Sequence, residues 1–203
     1  MAVRIVLLAA VTLPSQAATV QAAPLALAQQ TSPDLTAPYL AAAALIDPRE
    51  IALTPADLQP GFTIDVGVSG VAPLPDSVGV SLRQDMRRPA TPQALADGPI
   101  IVQQVIVRLD APVAPESVLA SVRDELIQDA GLAPTPEGPN DGGTVTLKRV
   151  DGDITLFSIG FVKQNMVVFT TVGGHNSVIS FQQLVDLAGI SSARLDATLV
   201  QRS

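Results

Sequence analysis

Charged side chains that could contact a ligand are concentrated around the end of one predicted strand, at Arg83, Asp85, Arg87 and Arg88. If these side chains converge at the end of the strand, they could bind an acidic ligand, because guanidinium groups pair with oxyanions. Alternating Arg and Asp is also typical of an exposed strand face, where it supports cross-strand pairing and protects an edge from aggregation. The four residues are therefore candidate ligand contacts, with edge protection as the alternative.

His175 is the sole histidine and lies in the segment Gly173-Gly174-His175-Asn176. An imidazole on a loop could act as a general base or a metal ligand. The alternative is a solvated turn residue between the last strand and the last helix. A metal site normally needs several ligands, and the chain has no cysteine, so we predict no metal and no cofactor. His175 is kept as a candidate ligand contact.

Two acidic, glycine-containing segments, Asp141–Gly143 and Asp151–Asp153, could offer oxygen ligands to Ca²⁺. Neither has the spacing of an EF-hand loop, and Asp-Gly pairs are typical of hairpin turns. The serine-nucleophile motifs and the glycine-rich phosphate loop are also missing from the sequence. The chain is therefore predicted not to be an enzyme, and the alternative is a hydrolase with paired carboxylates in a cleft.

The composition excludes several classes of function. The 203 residues carry a net charge of -7, and no basic cluster is larger than the pair Arg87-Arg88, so a nucleic-acid partner is not expected. Without cysteine there is no disulfide, no thiolate metal site and no lipid-modified cysteine. The fold must depend on a core of Val, Leu, Ile and Ala.

The N-terminus predicts export. A basic start at Met1–Arg4 precedes the apolar run Ile5–Leu13, which is too short to span a membrane and matches the central region of a signal peptide. Small residues then give candidate cleavage sites after Ala17, Ala22 and Ala28. We predict a signal peptide over 1–28, a linker over 29–50 and one domain over 51–203, located outside the cytoplasm. Membrane contact is expected only if the signal segment is retained.

Periodicity within 51–203 predicts six strands and two main helices. The strands are expected at 62–68, 78–86, 100–109, 144–148, 154–162 and 166–172, and the helices at 114–131 and from Ser177 or Ser180 onward. Gln103 and Gln104 interrupt the alternation of the third strand. The last strand is almost continuously apolar, which suggests that both of its faces are covered. The order βββα-βββα predicts an α+β fold with an antiparallel sheet and both helices on one face.

This layout resembles small exported bacterial sensor-type or lipoprotein domains of the Mog1/PsbP-like kind. The resemblance covers residues 51 to 200 and depends on the opening Thr54–Phe62, the strand Gln164–Phe169 and the closing helix. It implies a fold and an exported location, and it carries over no catalytic residue. We therefore expect a non-enzymatic domain that binds a protein, peptide or small ligand at the cell envelope. The alternative is an envelope-assembly or structural protein tethered by an uncleaved N-terminus.

Overall fold

The computed structural model describes residues 46–74, 78–110, 114–140 and 143–202. The predicted signal peptide and most of the predicted linker lie outside these residues. The helices are α1 (Pro48–Ile51), α2 (Pro92–Asp97), α3 (Pro115–Ala130) and α4 (Phe181–Arg202), with a 3₁₀ turn at Pro55–Asp57. The strands are β1 (Thr63–Ile64), β2 (Gly70–Pro73), β3 (Gly79–Arg87), β4 (Pro99–Leu109), β5 (Ala133–Pro134), β6 (Thr144–Asp151), β7 (Ile154–Lys163) and β8 (Met166–His175).

The strands form one antiparallel sheet, in the order β1-β3-β4-β8-β7-β6-β5, and β2 pairs with β3 on the same edge as β1. The predicted α+β class and antiparallel sheet are confirmed. The predicted count of six strands and the order βββα-βββα are wrong, because the sheet has eight strands. The additional strands are short segments at the two edges, where few residues pair and the alternating pattern is weak.

The first predicted strand, 62–68, is an example of this error. Only its residues Thr63 and Ile64 pair with β3. The chain then turns at Asp65, whose side chain accepts a hydrogen bond from the backbone N–H of Gly67 at 3.1 Å. Such local bonding by Asp competes with extended structure. As a result Val66, which was expected to alternate into the core, is 85% exposed, and the pairing resumes only at β2.

The two long helices pack on opposite faces of the sheet, so the prediction that both lie on one face is wrong. Successive side chains of a strand point to opposite faces. In β4, Val107 and Leu109 belong to the apolar cluster around α3, whereas Val102 and Ile106 belong to the clusters around α4. β8 divides in the same way, which agrees with the expectation that its apolar run is covered on both faces.

Buried amides attach the N-terminal segment to the α4 face. The side chain of Gln104 is 1% exposed, and its oxygen accepts a hydrogen bond from the N–H of Leu53 at 2.8 Å. Its nitrogen donates to Ser191 of α4 at 2.8 Å and to Thr170 at 3.2 Å. Next to it, Gln84 donates to the carbonyl of Leu53 at 2.9 Å. The two glutamines therefore bind Leu53 as a neighbouring strand would.

An ion pair fixes the same segment to α4. Two nitrogens of Arg194 contact the two carboxylate oxygens of Asp57, at 2.9 and 2.6 Å. Burial alone would raise the pKa of Asp57, but hydrogen bonds from Arg194 and Thr54 outweigh it and leave the pKa below its usual value of 3.8. The core also extends before residue 51, because Ile46, within the predicted linker, is fully buried against α4.

Among the described residues, no helix is long and apolar enough to cross a membrane. The longest, α4, presents an apolar stripe to the sheet and polar residues on its other side. Its buried residues are Leu184, Ala188, Ser191, Leu195 and Leu199.

Candidate functional site

Three of the five candidate residues share one face of the sheet. Arg83, Asp85 and Arg87 occupy alternate positions of β3, and they are paired in register with Val105, Gln103 and Ile101 of β4. Because Val105 packs against the α3 cluster, all three candidates lie on the α3 face. Their common face was implied by their spacing alone.

A polar row crosses this face at the level of Asp85. Strand register places Asp85, Gln103, Thr171 and Ser158 opposite one another on β3, β4, β8 and β7. Gln103 donates to the Asp85 carboxylate at 3.0 Å, and Thr171 donates to the hydroxyl of Ser158 at 2.9 Å. The next row toward the middle of the sheet consists of Arg83 on β3, Val105 on β4 and Phe169 on β8, so it is apolar except for Arg83.

α3 leaves part of the polar row uncovered because it crosses the sheet diagonally. It begins after the end of β4 and ends at Ala130, whose carbonyl accepts a hydrogen bond from Arg149 of β6 at 2.9 Å. The opposite corner, over β3, β4 and the end of β8, lies outside its path. A shallow pocket of about 350 Å³, part of it open to solvent, lies there between the helix and the sheet. This corner pocket is lined by Arg83, Asp85, Gln103, Val105, Leu126, Phe169 and Thr171.

The Asp85 carboxylate is the most enclosed charge of the pocket, with 1% of the residue exposed. Arg83 binds it with two nitrogens, Nε and Nη2, each at 3.1 Å. With the hydrogen bond from Gln103, both carboxylate oxygens have strong donors. Asp85 therefore serves to orient Arg83 and Gln103 along the wall of the pocket.

Arg87 is bound differently. Its Nη2 lies 3.9 Å from the Asp85 carboxylate, which is beyond hydrogen-bond distance. Its Nε is buried and has no hydrogen-bond partner among the described residues, although 36% of the side chain is exposed. Arg87 lies in the row next to Asp85 on β3 and is not among the residues that line the corner pocket.

Arg88, the fourth charged candidate, does not join this group. It follows Arg87 and has the opposite orientation, and its guanidinium donates to the carbonyls of Pro99 and Ala94 at 2.7 and 2.8 Å. It also lies over the ring of Phe62, 5.5 Å from the centroid. These contacts connect β3 to the α2 segment, so Arg88 has a structural role.

His175 lies at the end of β8, away from the corner pocket. Its Nδ1 is 2.7 Å from the hydroxyl of Ser177 and also accepts from the Ser177 N–H at 3.3 Å. The backbone N–H groups of Val178 and Ile179 bond to its carbonyl. His175 is therefore the last paired residue of β8, at the start of the turn toward α4, and the structure does not bring it together with the arginines.

Of the two acidic segments, only Asp151–Asp153 lies wholly within the described residues. No group of three or more His, Cys, Asp or Glu side chains converges within the described residues. Asp151 pairs with Arg149 at 2.6 Å, and Gly152 has a φ of 57°, as expected for the Asp-Gly hairpin turn. Asp141 and Gly142 lie outside the described residues.

Sequence reasoning missed the residues that complete the pocket from other elements. Thr171 and Phe169 come from β8 and Leu126 from α3, and only strand register and the path of the helix bring them to β3. Gln103 did give a signal, since it breaks the alternation of its strand. Comparison with known proteins gives no matching family model and no matching curated protein. The resemblance to Mog1/PsbP-like domains stays a prediction.

Proposed function

We propose that this protein is an exported, non-enzymatic binding domain whose ligand occupies the corner pocket. The observation that carries the proposal is the composition of the pocket wall. Val105, Leu126 and Phe169 offer an apolar surface, and Arg83 and Gln103 are held beside it in fixed orientations by Asp85. An apolar concavity with a few oriented polar groups is the usual form of a small-molecule site.

The size of the pocket favours a small ligand over a protein partner. The pocket is lined by seven residues, and its space of about 350 Å³ includes open solvent, so it offers only a small contact area. A protein interface would need a wider surface, and α3 and α4 cover much of both sheet faces. The proposed ligand is therefore a small molecule.

The state of Asp85 supports binding rather than catalysis. A general base needs a lone pair directed at the substrate. Asp85 is the one carboxylate among the residues that line the pocket, and Arg83 and Gln103 occupy both its oxygens. The same bonds that fix the donors direct both carboxylate oxygens at protein groups.

Export is supported by the sequence of the first 28 residues, with their basic start, apolar run and small-residue cleavage sites. The test is N-terminal sequencing of the protein recovered outside the cytoplasm. A chain that begins after Ala17, Ala22 or Ala28 supports export with cleavage. An intact Met1 on protein confined to the cytoplasm would contradict it.

The binding proposal is tested by two-dimensional amide NMR of the purified chain with a library of small anionic, neutral and cationic fragments. At least one fragment should shift the signals of Gln103, Val105 and Thr171 and leave those of Gln84 and Gln104, on the other face, unchanged. A Thr171→Phe variant should remove the effect by filling the pocket, whereas Thr63→Phe, on the exposed strand β1, should not. A library without any binder at these signals would refute the proposal.

A further inference from the structure

We infer that the sheet edge formed by β1 and β2 is a self-association surface, at which a second copy of this chain adds its own β2 in antiparallel pairing. The surface consists of residues 64–73 and is called the edge patch. The inference goes beyond the proposed binding function and does not depend on the corner pocket.

The first observation is that exposed apolar side chains are concentrated at this edge. Six large apolar side chains among the described residues are exposed, and four of them belong to the edge patch. These four are Ile64, Val66, Val68 and Val71, which are 39%, 85%, 47% and 36% exposed. They lie within eight consecutive residues, from β1 through the turn into β2. Single exposed apolar residues are ordinary, whereas a contiguous group of them marks an interaction surface.

The second observation is that the backbone of β2 directs one donor outward. Leu74 donates its N–H to the carbonyl of Gly79 at 2.8 Å. In an antiparallel pair the bonded positions alternate, so residues 70, 72 and 74 bond to β3. Val71 and Pro73 therefore direct their backbone groups away from β3. Because proline has no N–H, Val71 supplies the donor of β2 that an added strand would meet.

A second β2 fits this arrangement when the Val71 residues of the two copies lie opposite each other. Each Val71 N–H then donates to the Val71 carbonyl of the other copy, and the two side chains contact on one face. The same register places Pro73 opposite Ser69 of the second copy. Ser69 already donates its N–H to the carbonyl of Asp65 at 3.0 Å, so neither Pro73 nor Ser69 leaves a donor unpaired. The strand is thus complementary to itself across a two-fold axis.

The distribution of charge favours the same edge. Copies that each carry a net charge of -7 repel each other. The one charged residue within 64–74 is Asp65, and its carboxylate turns back to accept a hydrogen bond from Gly67. At the opposite edge, the ion pair between Lys148 and Glu137 lies beside β5 and β6, and charged side chains protect a sheet edge from pairing. Two copies therefore approach more easily through the edge patch than through the opposite edge.

The size of the edge patch determines how strongly two copies bind. A stable interface buries about 800 Å² on each partner and involves about 20–30 residues a side. The edge patch has about half as many residues as the lower figure, so the dimer belongs to the weak, transient class. We expect a monomer at low concentration and a dimer at high concentration.

The experiment is sedimentation equilibrium of the purified chain from micromolar to millimolar concentration. The average mass should rise from that of one chain toward that of two. Val71→Lys should raise the dissociation constant at least about tenfold, because like charges would lie directly opposite each other. Val71→Thr, which keeps the branched shape and removes apolar surface, should raise it by a smaller factor. Val150→Lys is the matched control, because Val150 is also exposed, at 57%, and lies outside the edge patch.

Amide NMR of the same samples locates the interface. The signals of Ile64, Val68 and Val71 should shift with protein concentration, and those of the control position Val150 should not. The far-ultraviolet circular dichroism and urea midpoint of each variant show that the monomer is folded.

Several results would overturn the inference. A mass of one chain at every concentration would exclude self-association. A dimer that is equally tight in Val71→Lys, or is weakened as much by Val150→Lys, would mean that the edge patch is not the interface. Slow hydrogen exchange at the Val71 N–H in a monomer at all concentrations would mean that the chain itself covers this edge. Each of these results would leave the corner pocket and its ligand test unaffected.

Discussion

Substitution of Gln104 by Leu should destabilise the domain strongly, although Leu matches the surrounding core better in polarity. Gln104 connects three parts of the fold, the N-terminal segment at Leu53, β8 at Thr170 and α4 at Ser191. Leucine has a similar length but no hydrogen-bonding group. The substitution therefore removes one side of each interaction and leaves the partners in place.

The size of the loss in the free energy of unfolding depends on which partners of Gln104 can form another hydrogen bond. The hydroxyl oxygens of Thr170 and Ser191 lose a donor, but these groups can rotate to form other hydrogen bonds, whereas the N–H of Leu53 loses its acceptor and cannot turn. Leu53 is fully buried, so water cannot replace the lost acceptor. A buried donor left without an acceptor costs about 1–3 kcal/mol, and the poorer environment of the Ser191 hydroxyl adds to this. We expect a loss of about 2–3 kcal/mol in the free energy of unfolding.

The assay is urea unfolding followed by far-ultraviolet circular dichroism, because the chain has no tryptophan and one tyrosine. The loss should appear as a lower midpoint at an unchanged slope. In thermal unfolding it corresponds to a fall in Tm of roughly 4–12 °C for a domain of this size. Gln103→Leu is the matched control, since Gln103 is the adjacent residue on the opposite face and is half-buried.

The control should lose less than about 1 kcal/mol, because Asp85 keeps its two bonds from Arg83 when Gln103 is removed. A Gln104→Leu variant as stable as the wild type, or no less stable than Gln103→Leu, would refute the reasoning. Such a result would mean that the contact between Leu53 and the sheet contributes nothing to the folded state.

Three further perturbations test other parts of the structure. Asp57→Asn should destabilise the domain above about pH 4, and the stabilities of variant and wild type should become equal at lower pH. The reason is that the pKa of Asp57 is lowered in the folded state, and the stability this gives is lost as the pH falls through that pKa. Urea midpoints measured across a pH series test this. Gly160→Ala should cost about 1–3 kcal/mol in urea unfolding, because a methyl group there would overlap the ring of Phe169. Arg88→Ala should lower the free energy of unfolding by about 1–3 kcal/mol in urea unfolding, since it removes two hydrogen bonds to carbonyls, yet leave ligand shifts at the corner pocket unchanged.

Each of these has an outcome that would contradict it. A constant stability difference between wild type and Asp57→Asn at every pH would show that the Asp57 carboxylate is not the group that titrates. An unchanged midpoint for Gly160→Ala would mean that the ring of Phe169 moves away freely. Loss of pocket shifts in Arg88→Ala would return Arg88 to the ligand site.

The sequence predicted most long elements because their periodicity is local. The helix at 114–131 and the strands at 100–109 and 154–162 correspond to α3, β4 and β7. Short elements such as β1, β2 and β5 were misplaced or missed, because a pair of residues at a sheet edge carries no periodic signal. A turn formed by Asp65 also overrode the alternation of the apolar residues around it.

The faces of the sheet give a more instructive case. The apolar run of β8 correctly indicated a strand covered on both sides, and a covered strand needs an element on each face. The order of elements nevertheless suggested two helices on one face, because consecutive hairpins do not specify on which side the chain crosses. Of the two arguments, the one from the buried residues of β8 was correct. Strand composition reports burial directly, whereas connection order constrains it only indirectly.

The candidate site was predictable within one strand only. The alternate spacing of Arg83, Asp85 and Arg87 implies a shared face, and the structure places Arg83 and Asp85 in the wall of the pocket and Arg87 in the next row. Arg88 directly follows Arg87, so its side chain has the opposite orientation. The rest of the pocket depends on how β4 and β8 align with β3 and on where α3 crosses, and both are set by contacts distant in sequence.

The adjacent glutamines of β4 also determine how that strand aligns with its neighbours. β4 carries Val and Ile on both of its faces. Its apolar residues would therefore tolerate a shift of the strand by one residue relative to its neighbours, which would exchange the two faces. Such a slip would move Gln104 out of reach of Leu53 and would bury Gln103 in the core without partners. A slip of two residues keeps the faces but separates Gln104 from Thr170 and Ser191. Gln103 and Gln104 thus favour the observed alignment of β4 over alignments shifted by one or two residues, which its hydrophobic residues alone would not exclude.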